Sequence, residues 1–380
     1  MKVGLDFTPA IYGRGVSRYT TNLARALLDK SVVEMQFFGS SLRQHRRLKK
    51  KLQKLGLDDQ QLTNQAHLQS WPPSALSWLW RFGFNPIKKN LPAIDVFHSW
   101  DYLQPPDKNL PLVSTIHDLA MLKYPETAHP KILRAHKRSW KILQERNAEI
   151  IAVSQATKKD IVKLLGIPSY KIHVVPEALP QEIQQVNESL TEEQTEQIKL
   201  ELQLNKPYLL FVGTREPRKN LERLIEAWKP MANDIELLIA GAAGWDATND
   251  HEYNRLPGLR FLGKVSDAEL NVLYAEAEAF VFPSLDEGFG LPILEAFYHG
   301  TPVITSDVPA LIEVAGNAAE LVNPELVEGI HQGITKVLNE TPEQQRQRLQ
   351  RMIIRMHMFS WHQVAEQTIA VYQQAIDRHE

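Results

Sequence analysis

The chain has 380 residues, 43% of them apolar and 23% charged, with a formal net charge of −2, the composition of an ordinary soluble protein long enough for two domains. Cysteine is absent, so disulfides, thiolate metal sites and cysteine nucleophiles are excluded. No apolar run approaches the length of a membrane span, so no transmembrane helix is expected. The small net charge conceals a division. Residues 1–178 carry 27 Lys and Arg against 14 Asp and Glu, a balance of +13, while residues 179–380 carry 16 against 31, a balance of −15. A basic half invites an anionic partner such as lipid headgroups, lipid phosphates or nucleic acid. Opposite fields would also help two domains face each other.

"KVGLDF" opens the chain as a strand and not as a signal peptide, which makes a cytoplasmic location the default. "YGRGVSRY" follows, with Gly13, Gly15 and Arg18 in a G-x-G-x-x-R pattern. This is not a full dinucleotide fingerprint, and it lies several residues past its strand. It reads as a glycine loop contacting donor phosphate or acceptor, or as a simple helix entry. "VSRYTTNLARALLD" reads as a helix and "EMQFFG" as a strand. "RQHRRLKKKLQKL" is then a basic run with Leu48, Leu52 and Leu55 on one face. "SWPPSALSWLWRFGF" comes close behind with Trp71, Trp78, Trp80 and Phe82. Basic amphipathic segments beside tryptophans mark a membrane surface, with a solvated helix and core aromatics as the plain alternative. The expectation is peripheral attachment through Arg43, Arg46, Arg47, Lys49, Lys50, Lys51 and Lys54, with Trp78 and Trp80 at headgroup level.

"DVFHS", "PLVSTIH", "EIIAVS" and "KIHVV" are short apolar runs of the kind that form buried parallel strands, and "HPKILRAHKRSWKILQERN" is a helix among them. "STIHDLA" places His117 and Asp118 at the carboxyl end of a strand, where ligands bind in such sheets, although a histidine can merely cap a strand. Residues 179–204 are rich in Gln and Glu and hold a helix start at Thr191. The boundary falls here, giving a first domain over 1–178, a linker and helix over 179–204, and a second domain over 205–360. Alternation then resumes, with strands "PYLLFVG", "IELLIAG", "LRFLG", "AFVFPS", "PVITS" and "AELV" and helices "NLERLIEAW" and "SDAELNVLYAEAE". The pattern argues for two doubly wound α/β domains with parallel sheets. Finally, Ser360 caps a helix over 361–380 in which Trp361, Val364, Thr368, Tyr372 and Ala375 recur at helical spacing, suited to crossing back to the first domain.

Two motifs of the second half carry chemistry. In "FVGTREPRKNLERLIEAW" a strand ends at Gly213 and a helix starts near Asn220. Arg218 and Lys219 sit just before that helix, where cations oppose its dipole, so an anion is a good reason for them. Lys219 suits a diphosphate as a point charge, the alternative being a solvated loop. In "EGFGLPILEA" Gly288 and Gly290 let the backbone approach a ligand, and Pro292 fits a helix start near Leu291. Free N–H groups there suit phosphate, while Glu287 and Glu295 can accept hydrogen bonds from sugar or ribose hydroxyls. A phosphorylated sugar compound fits both motifs.

The order of these motifs resembles the family 4 glycosyltransferases, whose GT-B fold has two facing Rossmann-like domains and a C-terminal crossover helix. The likeness runs along nearly the whole chain. It is strongest in "FVGTREPRKN", "FLGKVSDAEL", "FPSLDEGFGLPILEA" and "GTPVITSDVPALIEVAGNAAELVNP", with Glu287 and Glu295 in the family's Glu-x7-Glu signature. It implies retaining transfer of a hexose from a nucleotide-diphosphate sugar to a glycan or lipid-linked acceptor, with no metal or other cofactor. The implied roles place Glu287 beside the donor sugar and the amides of Phe289, Gly290 and Leu291 on sugar and phosphate oxygens. Glu295 would hold the ribose and Lys219 the leaving diphosphate, with Gly213, Thr214 and Arg218 also at the donor. His117 would stand near sugar and acceptor, and Gly13, Gly15 and Arg18 would form an acceptor or phosphate loop. The implied mechanism is front-face attack, the leaving phosphate helping to deprotonate the acceptor.

The motif wording is similar to bacterial mannosyltransferases of polysaccharide assembly, which favours GDP-mannose over a UDP-sugar and no nucleic acid. Three departures stand out. Thr214 replaces an arginine common in relatives, leaving Arg215 or Arg218 to supply the second phosphate cation. Glu177 and Ala178 replace a common Asn-Gly pair at the hinge, and Ala243 replaces a basic residue. Rival readings are a sugar-nucleotide epimerase of similar architecture and a non-catalytic sugar-nucleotide-binding subunit. A nicotinamide-linked reductase fits less well without the full glycine fingerprint.

Overall fold

The short apolar runs of the first half become β1 (Lys2–Asp6), β2 (Glu34–Ser40), β3 (Ala66–Gln69), β4 (Val96–Trp100), β5 (Leu112–Ile116), β6 (Glu149–Ala152) and β7 (Ile172–Val174) in a computed structural model. It describes the chain apart from residues 14, 92, 128, 245–255 and 380, so Arg14 of the glycine loop lies outside the described residues. All pairings are parallel, in the order β3-β2-β1-β4-β5-β6-β7. Every residue of β4, β5 and β6 is buried. Helices cover both faces of such a sheet, which is why these strands read as unbroken apolar runs. The strand order reverses between β1 and β4, and ligand crevices open at that point in doubly wound sheets.

The second half forms β8 (Tyr208–Val212), β9 (Glu236–Ala240), β10 (Leu259–Gly263), β11 (Ala279–Phe282), β12 (Val303–Ser306) and β13 (Glu320–Val322). Their order is β10-β9-β8-β11-β12-β13, again all parallel, with the reversal between β8 and β11. The chain divides into two compact units, one of residues 1–177 with the C-terminal helix, the other Ala178–Ser360.

The C-terminal helix Trp361–Asp377 buries all five of the positions that recur at helical spacing: Trp361, Val364, Thr368, Tyr372 and Ala375. It packs in the first unit. The Tyr372 hydroxyl lies 2.7 Å from Nδ1 of the buried His98, and the Trp361 ring sits edge-on to Tyr19. Each large apolar side chain buried this way contributes about 1.5–3 kcal/mol. Just past the helix, Arg378 reaches Glu149 on β6 at 2.8 Å.

Three expectations need correction. The stretch 179–204 keeps its expected helix after Thr191 but has a second helix where a linker was expected. It folds as helices Gln181–Ser189 and Glu192–Glu201 within the second unit, the latter opened by a reciprocal cap between Thr191 and Gln194. Strand β3, "AHLQ", was missed, because a half-exposed edge strand with two apolar residues carries little periodic signal. The basic run does form a helix, His45–Lys54, but Leu48 and Leu52 are fully buried. Its apolar face belongs to the domain core, and the outward face carries Gln53 and most of the charges.

Candidate functional site

The carboxyl ends of β8 and β11 meet at the reversal point of the second sheet. From β8 the chain passes through Gly213, a single 3-10 turn Pro217–Lys219, and the helix Leu221–Trp228. Asn220 joins turn to helix in the left-handed region (φ 60°), and its Nδ2 donates to the carbonyls of Pro283 and Pro324 at 3.0 and 2.7 Å. Neighbouring loops are stitched by backbone hydrogen bonds: Gly213 N–H to Ala240 O, Arg215 N–H to Ala242 O and Leu285 N–H to Arg218 O. Gly241 allows this stitching. A Cβ there would lie 1.9 Å from the Gly213 oxygen.

This framework brings four charges together, Lys219, Arg218, Glu287 and Glu216. Lys219 Nζ pairs with Oε1 of Glu287, while Arg218 Nη1 donates to Oε2 at 2.8 Å and to the Asp286 carbonyl at 2.9 Å. Lys219 also lies 5.0 Å from the Phe282 ring centroid. Burial drives the Glu287 pKa upward, but Lys219 and Arg218 outweigh it and bring the carboxyl to about 2. Burial lowers Lys219, against the pull of Glu287. Glu287 is therefore an obligate hydrogen-bond acceptor, and it shares the two cations with Glu216, whose Oε2 lies 3.5 Å from Arg218 Nη2. Of the two arginines that could stand in at Thr214, Arg218 joins this cluster. Arg215 lies over the Phe261 ring at 4.8 Å.

The chain then turns at Gly290 (φ 110°), where a Cβ would meet Leu311 at 2.6 Å. The helix Leu291–Tyr298 follows, with Pro292 in its second position and not its first. The leading N–H groups of a helix have no partner within it. Phe289 buries its ring edge-on to Phe359. Glu295 is buried one turn in and accepts from the Tyr274 hydroxyl at 3.1 Å.

In the first unit, His117 follows β5. Its ring stacks parallel to Trp100 and edge-on to Tyr19, and its Nδ1 lies 2.9 Å from Glu177 Oε1. Since a carboxylate only accepts, Nδ1 carries the proton. Nε2 is buried with no partner among the described residues. Burial pulls the His117 pKa down, but Glu177, helped by Asp101 and Asp118, outweighs it and the net shift is upward. The unusual Glu177 is thus the partner of His117. In Glu177→Gln the imidazole titration followed by NMR should move to lower pH, and an unchanged midpoint would show that Glu177 does not hold the histidine's charge.

Asp118 caps the next turn through Ala120 N–H at 2.9 Å. Gly13 and Gly15 both have positive φ, and nothing lies within 4 Å of a Cβ at either. A 3-10 turn, Thr8–Ile11, separates them from β1, so the loop is not a tight dinucleotide turn. Arg18 sits half-buried in the first turn of the helix Val16–Leu28. Sequence reading missed Asp6, which ends β1 at the reversal point of the first sheet. It is buried and accepts from Thr8 N–H at 2.9 Å and the Tyr102 hydroxyl at 3.1 Å. Burial pushes its pKa up to about 6 despite these bonds. The available signal was a lone acid closing an apolar strand.

Comparison with known proteins adds to this geometry. Residues 13–180 match the family described as Glycosyltransferase Family 4, and residues 192–354 match Glycosyl transferases group 1. O-antigen chain mannosyltransferase B of Escherichia coli is 38% identical over 173 residues, 43% of this chain and 45% of that protein. O-antigen chain mannosyltransferase RfbU of Salmonella typhimurium is 33% identical over 189 residues, 49% of each. The chain spans about half the length of the curated relatives it matches. Among solved structures, a glycosyltransferase of Rickettsia africae has a TM-score of 0.73 at 18% identity, over 99% of this chain and 98% of that one. Anabaena HepE, solved with UDP-glucose, has a TM-score of 0.70 at 16% identity, over 100% and 99%. At these identities the likeness shows the fold, GT-B, built from two Rossmann-like units.

Proposed function

From the premise that this chain belongs to the family 4 glycosyltransferases, with a Glycosyltransferase Family 4 half ahead of a Glycosyl transferases group 1 half, we propose that it is a retaining hexosyltransferase. It moves mannose from GDP-mannose to a glycan or lipid-linked acceptor. The observation that carries this reading is the Lys219–Glu287–Arg218 cluster at a sheet reversal point, beside the helix that starts after Gly290. Negative charge develops on the leaving diphosphate in such a transfer, and preorganised cations stabilise it most where water is scarce. Lys219 and Arg218 take that role. Ionised Glu287 accepts from hydroxyls of the donor sugar, Glu295 from the ribose, and the amides of Phe289, Gly290 and Leu291 donate to phosphate and sugar oxygens. Gly213 and Thr214 line the donor. His117 serves the acceptor side, in the first unit. Mannose is favoured because the curated relatives are named mannosyltransferases.

Nucleotide release from GDP-mannose and UDP-sugars, with and without glycan acceptors, tests the reading. Release that depends on acceptor and persists in EDTA is expected, because side chains supply the cations. Loss in EDTA with rescue by magnesium or manganese would move the diphosphate clamp away from Lys219. Donor conversion without acceptor would indicate an epimerase, and thermal stabilisation by donor without any turnover a binding subunit. No stabilisation by any nucleotide sugar would sink the proposal.

The same reading places the enzyme on the cytoplasmic face of an anionic membrane. Among the described residues no helix is long and apolar enough to cross a membrane. With Leu48 and Leu52 buried, the helix His45–Lys54 can offer charge but not insertion. Trp71 and Trp78 are 47% and 57% exposed and Phe82 56%, whereas Trp80 is only 5% exposed, its indole N–H donating to the Asn85 carbonyl. Trp80 therefore leaves the expected headgroup set. Each basic residue near an anionic leaflet contributes about 1 kcal/mol. Liposome sedimentation should require anionic lipid, weaken with salt and fall when Arg46, Arg47, Lys49, Lys50 and Lys51 become Gln. Equal binding to neutral liposomes would refute the attachment.

A further inference from the structure

In the second unit Glu295 is tied to a buried aromatic cluster. Tyr274 lies on the helix Asp267–Ala275, 21 positions before Glu295, and its hydroxyl reaches Oε2 at 3.1 Å. A carboxylate only accepts hydrogen bonds, so the phenol donates. Tyr274 is itself held on three sides. Its ring lies parallel to His299 with centroids 5.9 Å apart and edge-on to Phe280 at 5.3 Å, and its carbonyl accepts from the Thr301 hydroxyl at 2.6 Å. Both ring distances fall where aromatic pairs attract. His299 closes the helix Leu291–Tyr298 that carries Glu295, so the stack and the hydrogen bond join the same two helices. His299 Nε2 has no partner among the described residues, and burial lowers its pKa to about 4. The imidazole therefore supplies a neutral ring face.

A buried carboxylate needs a donor wherever it lies, and that need would account for the bond alone. It would not account for a donor whose ring is fixed by two further rings and whose carbonyl is bonded as well. A fixed donor sets the direction of the carboxylate that it holds. A carboxylate has about four lone-pair sites, and a single phenol takes one of them. With Oε2 tied to Tyr274, the side chain is ordered before a ligand arrives, which lowers the entropic cost of binding.

Resting on the reading that Glu295 holds the ribose, we propose that Tyr274 is a positioning residue for the nucleotide end of the donor. It orients Glu295 toward the ribose hydroxyls and so makes the site select ribonucleotides over their deoxy counterparts. His299 and Phe280 act one step further out, by fixing the Tyr274 ring.

Calorimetric titration with GDP and 2′,3′-dideoxy-GDP, repeated with the uridine pair, tests this. The ratio of dissociation constants within a pair measures recognition of the hydroxyls and cancels any loss common to both nucleotides. In the wild type the ribonucleotide should bind about 10–100-fold more tightly, as expected of hydrogen bonds to a charged group. Glu295→Gln should bring that ratio down to about 5 or less. Tyr274→Phe keeps both ring contacts and should lower the ratio about 5-fold or more, while affinity for the dideoxynucleotide stays within about 2-fold. The double variant should match Glu295→Gln alone, because a residue that acts through another adds nothing once the other is gone. Tyr208→Phe is the control. The Tyr208 hydroxyl donates to the Leu273 carbonyl of the same helix at 2.9 Å, so its loss loosens that helix without touching the carboxylate, and the ratio should stay at the wild-type value. In turnover, Tyr274→Phe should raise KM for the nucleotide sugar and leave kcat within about 2-fold. An unchanged ratio in Tyr274→Phe, with both nucleotides weakened alike, would make Tyr274 plain support and overturn the proposal. Equal binding of ribo- and dideoxynucleotide by the wild type would remove Glu295 from the ribose, and the proposal with it. No binding of any of the four nucleotides would sink the glycosyltransferase reading itself.

Discussion

Glu287→Ala and Lys219→Ala should each fold and each lose transfer by about 100-fold or more, the usual loss when a preorganised electrostatic partner of the transition state is removed. The reasons differ. Lys219→Ala removes the cation closest to Oε1 and leaves Glu287 paired with Arg218 alone. Glu287→Ala removes the acceptor for sugar hydroxyls and also leaves two largely buried cations without the charge they share. Stripping one partner from a buried pair costs about 3–5 kcal/mol, so Glu287→Ala should melt well below Lys219→Ala. Glu287→Gln separates charge from shape, because the amide keeps one acceptor oxygen but cannot balance Lys219. The pH response follows from the carboxyl's position. Its folded pKa of about 2 lies below the unfolded value near 4.3. The stabilisation it gives is complete above the unfolded value and is lost as pH falls through about 2. Activity across neutral pH should therefore show no inflection from Glu287. Near-normal turnover in either purified alanine variant would remove the cluster from the donor site.

How much of this was legible in the sequence depends on the range of the signal. Parallel strands buried on both faces announce themselves as apolar runs. The C-terminal helix announced its buried face, because Trp361, Val364, Thr368, Tyr372 and Ala375 keep helical spacing. Loops at strand carboxyl ends pointed to Lys219, Glu287 and His117 for the same local reason. What no local pattern could state is which loops become neighbours. Lys219 and Glu287 are 68 positions apart and meet only because β11 lies beside β8. His117 and Glu177 are 60 apart, and Glu177 read as a hinge peculiarity because its partner was out of view. Trp80 is a different case. Leu76 and Trp80 are four apart, on the buried face of their helix, and Trp78 points the other way. Helical spacing contained that answer, but grouping the tryptophans by composition discarded it.

A comparable loss of stability is expected away from the donor site, at Glu149. This carboxylate is buried on β6, where Lys171 Nζ reaches it at 2.8 Å, His173 Nε2 at 2.7 Å and Arg378, past the C-terminal helix, at 2.8 Å. Burial raises its pKa, but the hydrogen bonds from His173, Lys171 and Arg378 outweigh burial and the net shift is downward. Its stabilisation is therefore present above the ordinary carboxylate pKa and is lost as pH falls through the depressed one. Glu149→Ala strands Lys171, itself buried, with an uncompensated charge. That should cost about 3–5 kcal/mol, or roughly 6–20 °C in melting temperature for a unit of this size. Arg378→Gln removes the most exposed member and should cost no more than about 1 kcal/mol. The double variant Glu149→Leu, Lys171→Met fills the site without charge and should recover most of the loss, since apolar replacements of buried pairs are often neutral or better. Recovery in the double variant identifies the stranded lysine as the cause. If the double variant melts as low as Glu149→Ala, the loss comes instead from undocking Arg378 and the C-terminal helix, and Arg378→Gln should then fall with it.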